Sequence, residues 1–283
     1  MTDTETPEPL KIIPGVPRAL SPLVRRICAP NPGVFTGPGT NTYLVGIDEI
    51  AVIDPGPEDD SHLEAVSGCG GDRIRWILCT HTHPDHAPGT KALAAATGAE
   101  VLAFDSRDGL SVDTELSDGD KVTATEFRLK AVHTPGHASN HLCFHLEEER
   151  MLFTGDHIMQ GSTVVIKPPD GDMAVYLDSL AKIRKIPRLK TLAPGHGLVI
   201  EEPREIIDYY LSHRAEREAK VVAAVGDSGP ATLADLVSVV YGDVDVERHH
   251  IAIHSLLAHL IKLEAEGRVT GDAADEESEW AAT

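Results

Sequence analysis

The sequence comprises 283 residues, of which 41% are hydrophobic and 25% are charged, a balance typical of globular proteins. Its apolar runs are far shorter than the roughly 20 residues that span a bilayer, so we expect no membrane partner. A formal net charge of −20 disfavours duplex DNA as a partner, because binding DNA requires basic surfaces. The acidic, proline-rich N-terminus does not resemble a secretory signal, and the four cysteines show no paired spacing. We therefore expect a cytoplasmic protein with reduced thiols.

The first 200 residues alternate short apolar segments with turns and helical segments. The strand candidates are 41–46, 49–54, 74–80, 101–103, 122–132, 142–146 and 151–154. An alanine-rich helix is expected at Thr90–Thr97, closed by Gly98 in the position that favours glycine. Strands with interspersed helices predict an α/β sandwich rather than an all-β or all-helical protein.

The pattern changes near residue 204. Helices are predicted from Arg204 to about Val225, over Thr232–Tyr241 and over Glu247–Gly267, followed by a short strand. This order is typical of a winged-helix-like domain. After residue 200, acidic residues outnumber basic ones by 18 to 7, which favours packing, dimerisation or lining a cleft over reading DNA. We predict a catalytic domain at 1–203, a helical winged-helix-like domain at 204–271 and a disordered acidic tail at 272–283.

Four candidate metal ligands lie within the six residues HTHPDH at positions 81–86. The segment follows a predicted buried strand, and alternation along an extended chain places His81 and His83 on the same side. Asp85 and His86 follow as the chain turns into the helix, where they could face a second metal. Imidazole and carboxylate are ligands of divalent cations such as zinc.

Three further candidates follow, each at a tight turn or strand end. His137 ends the segment HTPGH, Asp156 ends FTGD, and His196 lies in PGHG. A turn containing proline and glycine presents the adjacent side chain away from the backbone. A carboxylate at a strand end is suited to bridging two cations.

These four motifs, in this order, resemble the successive metal-binding motifs of the metallo-β-lactamase superfamily. The resemblance extends from about Gly39 to His196 and implies an αββα sandwich with its metals at one edge. It also implies that His81, His83 and His137 bind a first metal, that Asp85, His86 and His196 bind a second, and that Asp156 bridges both. His133 matches no ligand position.

Two features narrow the resemblance. β-Lactamases proper mostly lack a bridging aspartate, so β-lactam hydrolysis is expected only as a side activity. The segment between Asp156 and His196 is too short for the inserted domain of RNase J-type enzymes. The chain is most similar to glyoxalase II-like hydrolases and to the beta-lactamase-like protein 2 group, which joins this core to a winged-helix-like domain and includes endoribonucleases.

We therefore predict a hydrolase with two zinc ions, iron or manganese being the alternatives, that uses a bridging hydroxide to cleave a small ester or thioester. Asp85 and Asp156 are the predicted catalytic residues. Single-stranded RNA is the alternative substrate, and an iron-dependent persulfide dioxygenase-like activity is the alternative reaction. A homo-oligomer is compatible with the C-terminal domain.

Several residues outside the motifs are weaker candidates. Asp54, at a strand end, is either a partner of a ligand histidine or a turn residue. Lys167 and Tyr176 could line the cleft, although a solvated loop and helix packing are favoured for them. His250 and His254 lie one helical turn apart, where packing is favoured over metal binding.

Overall fold

The computed structural model describes residues 11–275 and 278–283. Its first sheet contains seven strands: β1 (Arg18–Ala19), β2 (Val24–Cys28), β3 (Asn41–Val45), β4 (Ile50–Ile53), β5 (Ile74–Leu78), β6 (Glu100–Ala103) and β7 (Thr114–Glu115). The strands lie side by side in chain order. Neighbours are antiparallel from β1 to β4 and parallel from β4 to β7. The parallel half matters for the site, because it directs the carboxyl ends of successive strands to one edge.

The second sheet contains β8 (Lys121–Thr123), β9 (Arg128–His133), β10 (Leu142–Leu146), β11 (Met151–Gly155) and β12 (Thr191–Pro194). Its spatial order is β12-β11-β10-β9-β8. Strands β11 and β12 are parallel, and the other pairs are antiparallel. The ends of β11 and β12 therefore also meet at one edge of the sheet.

Four helices cover the outer faces of the two sheets. On the first sheet, α1 (Asp60–Gly70) and α2 (Thr90–Thr97) bury an apolar layer that includes Leu63 and Leu93. On the second sheet, α3 (Met173–Arg184) and the first half of α4 (Pro203–Ser228) bury another layer. The largest cluster, with Tyr43, Phe144 and Phe153, lies between the sheets. Every residue of β3, β4 and β11 is buried, and β4 is apolar throughout, as expected of a strand covered on both faces. The predicted αββα sandwich is confirmed.

Some element boundaries differ from the prediction. Helix α2 has the predicted bounds, and Gly98 adopts a left-handed conformation at its end. The single strand predicted at 122–132 is instead the hairpin of β8 and β9, because the chain reverses at residues 124–127. Strands β1, β2 and β12 and helices α1 and α3 were not predicted, since their short or mixed sequences carry weak periodicity.

The C-terminal domain contains the second half of α4, then α5 (Leu233–Val240), α6 (His249–Ala265) and the paired strands β13 (Val269–Thr270) and β14 (Ala281–Ala282). Helix α4 belongs to both domains. Ile207 and Tyr210 pack on the second sheet, whereas Val221 and Val225 pack against α5 and α6. The predicted small helical domain with a terminal strand is confirmed.

The prediction of a disordered tail at 272–283 is wrong for the described residues. Trp280 is 1% exposed and packs in the apolar core of the C-terminal domain. Its backbone exchanges hydrogen bonds with Ala231, and β14 pairs with β13. The acidic composition predicted disorder, but one large apolar side chain and a strand pairing order the segment. Glu276 and Glu277, also part of that prediction, lie outside the described residues.

Within the described residues, no helix has both the length and the apolar character needed to cross a membrane.

Candidate metal centre

All seven predicted ligands lie at one edge of the sandwich, on loops that leave the ends of strands. The segment 81–86 follows β5, and Asp156 and His196 follow β11 and β12. His137 lies in the loop between β9 and β10. The antiparallel bridge between Thr40 and His196 joins the two sheets beside this edge. The topology therefore brings together side chains that are distant in sequence.

The first group consists of His81, His83 and His137, whose ring nitrogens converge. Nδ1 of His83 lies 3.0 Å from Nε2 of His81 and 3.0 Å from Nε2 of His137. Two nitrogens bound to one tetrahedral zinc are about 3.3 Å apart when each bond is about 2.0 Å. The spacing of the three nitrogens is close to that value.

The second group consists of Asp85, His86, Asp156 and His196, with ligand atoms within 4.8 Å of one another. Oδ1 of Asp156 lies 3.3 Å from Nε2 of His86 and 3.2 Å from Nε2 of His196. Its other oxygen, Oδ2, lies 3.8 Å from Nε2 of His137 in the first group. The carboxylate of Asp156 thus faces both groups.

The second ring nitrogen of four histidines is held by an acceptor. Nδ1 of His86 donates to Asp54 Oδ2 at 2.8 Å, and Nδ1 of His137 donates to the Val165 carbonyl at 2.9 Å. Nδ1 of His81 donates to Thr80 Oγ1, and Nδ1 of His196 to the Gly39 carbonyl. With Nδ1 protonated, Nε2 carries the lone pair that a metal needs.

Asp54 lies beneath the second group and holds His86 by a hydrogen bond. Its backbone has a φ of 51°, a left-handed conformation that aspartate tolerates better than most residues. Its carboxylate accepts hydrogen bonds from Thr80 N, Thr80 Oγ1 and His86 Nδ1. Of the two interpretations of Asp54, the structure therefore shows the contact with a candidate ligand histidine.

A glycine is required at position 195 because the side chains of Asp156 and His86 approach its backbone closely. A Cβ atom at this position would lie 2.7 Å from Asp156 Oδ1 and 2.7 Å from His86 Cε1. Any larger residue would displace the second group. The glycine of the PGHG motif therefore keeps His196 and Asp156 within reach of one ion.

The two groups differ in their electrostatics. Burial, with the neighbouring histidines, lowers the pKa of His83 to about 4, and burial lowers the pKa values of His81 and His137. In the second group burial opposes protonation, but the negative charges of Asp85 and Asp156 outweigh it and raise the pKa of His86. His196 follows the same balance, and its pKa rises to about 9. The first group thus offers neutral imidazoles, and the second concentrates negative charge that attracts a cation.

A further observation shows that these ligand atoms suit divalent metal ions. Nε2 of His86, Nε2 of His196 and Oδ1 of Asp156 are buried without a hydrogen-bond partner among the described residues. Buried polar atoms without partners are costly. A cation placed between them would satisfy all three at once. Nitrogen and oxygen donors of this kind suit zinc, iron or manganese.

The weaker candidates fall in different places. His133 stacks on Phe104 and takes no part in either group. Tyr176 is fully buried and donates to the His157 carbonyl, as packing predicts. Lys167, His250 and His254 line a cavity over the two groups. His250 and His254 therefore do more than pack within their helix, because they also form part of the cavity wall.

Sequence reasoning missed several contributors to this centre. Thr80 and the carbonyls of Val165 and Gly39 hold ligand histidines. Phe35 and Ile251 line the cavity from opposite domains. Backbone acceptors carry no sequence signal, and contacts between domains depend on how α6 packs.

An αββα sandwich with histidines and carboxylates clustered at one edge is typical of a class of metal-dependent hydrolases. Residues 35–196 match the model of the metallo-beta-lactamase superfamily, and residues 232–280 match the beta-lactamase associated winged helix domain. The chain belongs to the metallo-beta-lactamase superfamily and is a metal-dependent hydrolase of that fold.

The similarity to known proteins extends over nearly the whole chain. A beta-lactamase-like protein 2 homolog of Drosophila melanogaster is 35% identical, covering 95% of this chain and 97% of that protein. An atrochrysone carboxyl ACP thioesterase of Aspergillus chevalieri is 31% identical, covering 95% and 89% respectively. The crystal structure of a beta-lactamase domain protein from Burkholderia ambifaria superposes with a TM-score of 0.81 at 21% identity, covering 96% of this chain and 95% of that one. That structure shares the fold.

Proposed function

We propose that this protein is a two-zinc hydrolase of small esters or thioesters. The observation that carries the proposal is the pair of adjacent ligand groups with Asp156 facing both. We assign His81, His83 and His137 to the first ion and Asp85, His86 and His196 to the second, with Asp156 between them.

When bound, two zinc ions would acidify water toward a pKa of about 7 and polarise a carbonyl oxygen. The protein's own part is to position the reacting groups. Asp156 holds the two ligand groups together, and Asp85, with a side chain 24% exposed, faces the cavity, where it can orient water and exchange a proton. In thioester hydrolysis, the oxygen of water bonds to the acyl carbon and the carbon–sulfur bond breaks. The departing sulfur ends as a thiol or thiolate, and the other product is a carboxylic acid.

Two observations support an ester or thioester as the substrate. A cavity of about 820 Å³ opens over the ligand groups, and its walls include four prolines, Phe35 and Ile251. Such a mostly apolar wall suits an uncharged acyl group. A relative covering 95% of this chain is named as a thioesterase.

The test is metal analysis of the purified protein, followed by a substrate panel. We expect close to two divalent ions per chain, mostly zinc, and hydrolysis of a simple thioester or ester that stops when the metals are chelated. The panel should also contain a β-lactam, a lactone, a glutathione persulfide and single-stranded RNA. One iron per chain with persulfide oxidation, or an inert ester and thioester panel, would contradict the proposal.

Replacing Asp54 with asparagine should weaken metal binding by about 10–100-fold, the usual effect of removing an outer-sphere partner. Asparagine keeps the size of the side chain but removes the negative charge that supports His86. Competition with a chromogenic chelator measures the affinity. Asp113, which also accepts a backbone hydrogen bond but lies outside the ligand groups, provides the control variant Asp113→Asn. Equal zinc affinity in Asp54→Asn and the control would remove this role.

Single-stranded RNA remains the second candidate because exposed cations line the cleft of an otherwise acidic chain. Lys167 is exposed and makes no ion pair among the described residues. Lys167→Ala should reduce RNA cleavage and its salt dependence together, because backbone phosphates need such cations. The same variant should leave hydrolysis of a neutral ester almost unchanged. Absence of RNA cleavage above a metal-free control would remove this candidate.

A further inference from the structure

The cleft over the ligand groups has two chambers. We call the larger one, of about 820 Å³, the proline chamber after Pro57, Pro84, Pro168 and Pro169 in its walls. We call the smaller one, of about 270 Å³, the arginine chamber after Arg214, Arg217 and Arg248. The C-terminal domain contributes to both.

The two chambers meet at the metal centre. His137 and Asp156 line both, and so do Phe35, Val165 and Ile251. A bond held beside Asp156 would therefore have one part of its molecule in each chamber. The chemistry of the chamber walls then selects what lies on each side of the bond.

The arginine chamber carries uncompensated positive charge. Arg214 is 2% exposed, donates to the Val164 carbonyl and lies over the ring of Tyr176. Neither Arg214 nor Arg248 has a carboxylate within ion-pair distance in the described part of the chain, whereas Arg217 pairs with Asp243. Arginine stays protonated in proteins, and a buried charge without a counter-charge is costly. Asp156, already engaged with three histidines, is the one carboxylate among the described residues of its wall.

The proline chamber differs in character. Besides the shared Phe35, Val165 and Ile251, its walls contain the four prolines. They also include three carboxylates, those of Asp85, Asp156 and Asp170, and one lysine, Lys167, so the described residues of this chamber carry no excess of positive charge. Phe35 is 61% exposed at the tip of a turn whose base is closed by two hydrogen bonds between Gly33 and Gly37. A large exposed aromatic ring over a cavity is suited to cover an apolar ligand.

We propose that the substrate is an ester or thioester with an apolar group on one side of the scissile bond and an anionic group on the other. The apolar group occupies the proline chamber, between Phe35 and Ile251, and the anion binds Arg248 in the arginine chamber. This inference rests on the proposed hydrolase function and adds the substrate class and its orientation. A chamber of about 270 Å³ admits a compact anionic fragment.

Binding is tested with thioethers, which cannot be hydrolysed. The probe is 3-(octylthio)propanoate, and its neutral amide is the matched compound. Calorimetry on the intact protein should show about tenfold tighter binding of the carboxylate, because a charge-assisted contact replaces a neutral one. Arg248→Ala should remove most of that preference, and Arg248→Glu should reverse it. Arg248 is exposed, so neither variant should disturb folding.

The control variants separate the contribution of charge from that of apolar contact. Arg204→Ala removes an exposed arginine of α4 that lines neither chamber and should leave both affinities unchanged. Ile251→Ser should weaken the carboxylate and the amide alike while keeping the preference for charge. Equal binding of the two compounds to the unmodified protein, or an equal loss of both in Arg248→Ala, would overturn the proposal.

Turnover distinguishes this proposal from the hydrolase function on which it rests. S-octanoyl-3-mercaptopropanoate carries the anion on the thiol side, and S-octyl monothiosuccinate carries it on the acyl side. At least one of them should exceed its neutral amide in kcat/KM, with a difference that depends on Arg248. Equal hydrolysis of charged and neutral compounds in both orientations would overturn the two-chamber assignment and leave the hydrolase intact. Hydrolysis of none would contradict the hydrolase function itself.

Discussion

Replacing Asp156 with alanine is expected to remove one of two bound metal ions and to lower turnover by about a thousandfold. A metal site contributes several kcal/mol of transition-state stabilisation, and each loss of about 1.4 kcal/mol lowers the rate tenfold. Asp156 has this effect because its two oxygens face different ligand groups. Without the Asp156 carboxylate, the second group also loses a negative charge beside His86 and His196 that attracts a cation.

Metal content per chain and the rate of thioester hydrolysis are the measurements. Asp156→Asn keeps the size of the side chain and should fail in the same way, which separates lost charge from lost packing. Asp178→Ala, an exposed aspartate on α3, should retain both ions and full activity. Two ions and full turnover in the Asp156 variants would defeat the assignment of Asp156 as the ligand between the two ions.

Replacing Trp280 with alanine should destabilise the C-terminal domain by about 3–5 kcal/mol, the usual cost of truncating a buried aromatic residue. The indole is 1% exposed and packs with α4, α5 and α6 side chains in one apolar cluster. A truncation after Gly271 removes the same side chain together with β14. Because α6 also lines the cleft, both changes should impair substrate binding as well.

Urea denaturation, followed by circular dichroism, measures this loss. Glu279→Ala changes the exposed neighbour of Trp280 and should have little effect on the free energy of unfolding. A truncated chain as stable as the full-length protein would restore the disordered-tail interpretation.

Local sequence was sufficient to predict the candidate ligands. His81, His83, Asp85 and His86 lie within six residues, so their proximity follows from chain geometry alone. His137, Asp156 and His196 were predicted because each follows a turn or strand end, where side chains are displayed rather than packed. Helix α2 had clear boundaries, since alanine-rich sequence and a terminal glycine act over a few residues.

Tertiary structure decided the rest. The pairing of Trp280 with Ala231 orders a segment whose acidic composition predicts disorder. Hydrogen bonds from His137 and His196 to backbone carbonyls orient the rings, but any residue supplies a carbonyl, so no sequence pattern marks them. Likewise, Ile251 reads as an ordinary apolar residue of α6 until that helix packs beside the metal centre. The sequence alone determined which groups can bind metal, because ligand chemistry belongs to the side chain. Only the fold decided what surrounds them, because it depends on contacts between distant segments.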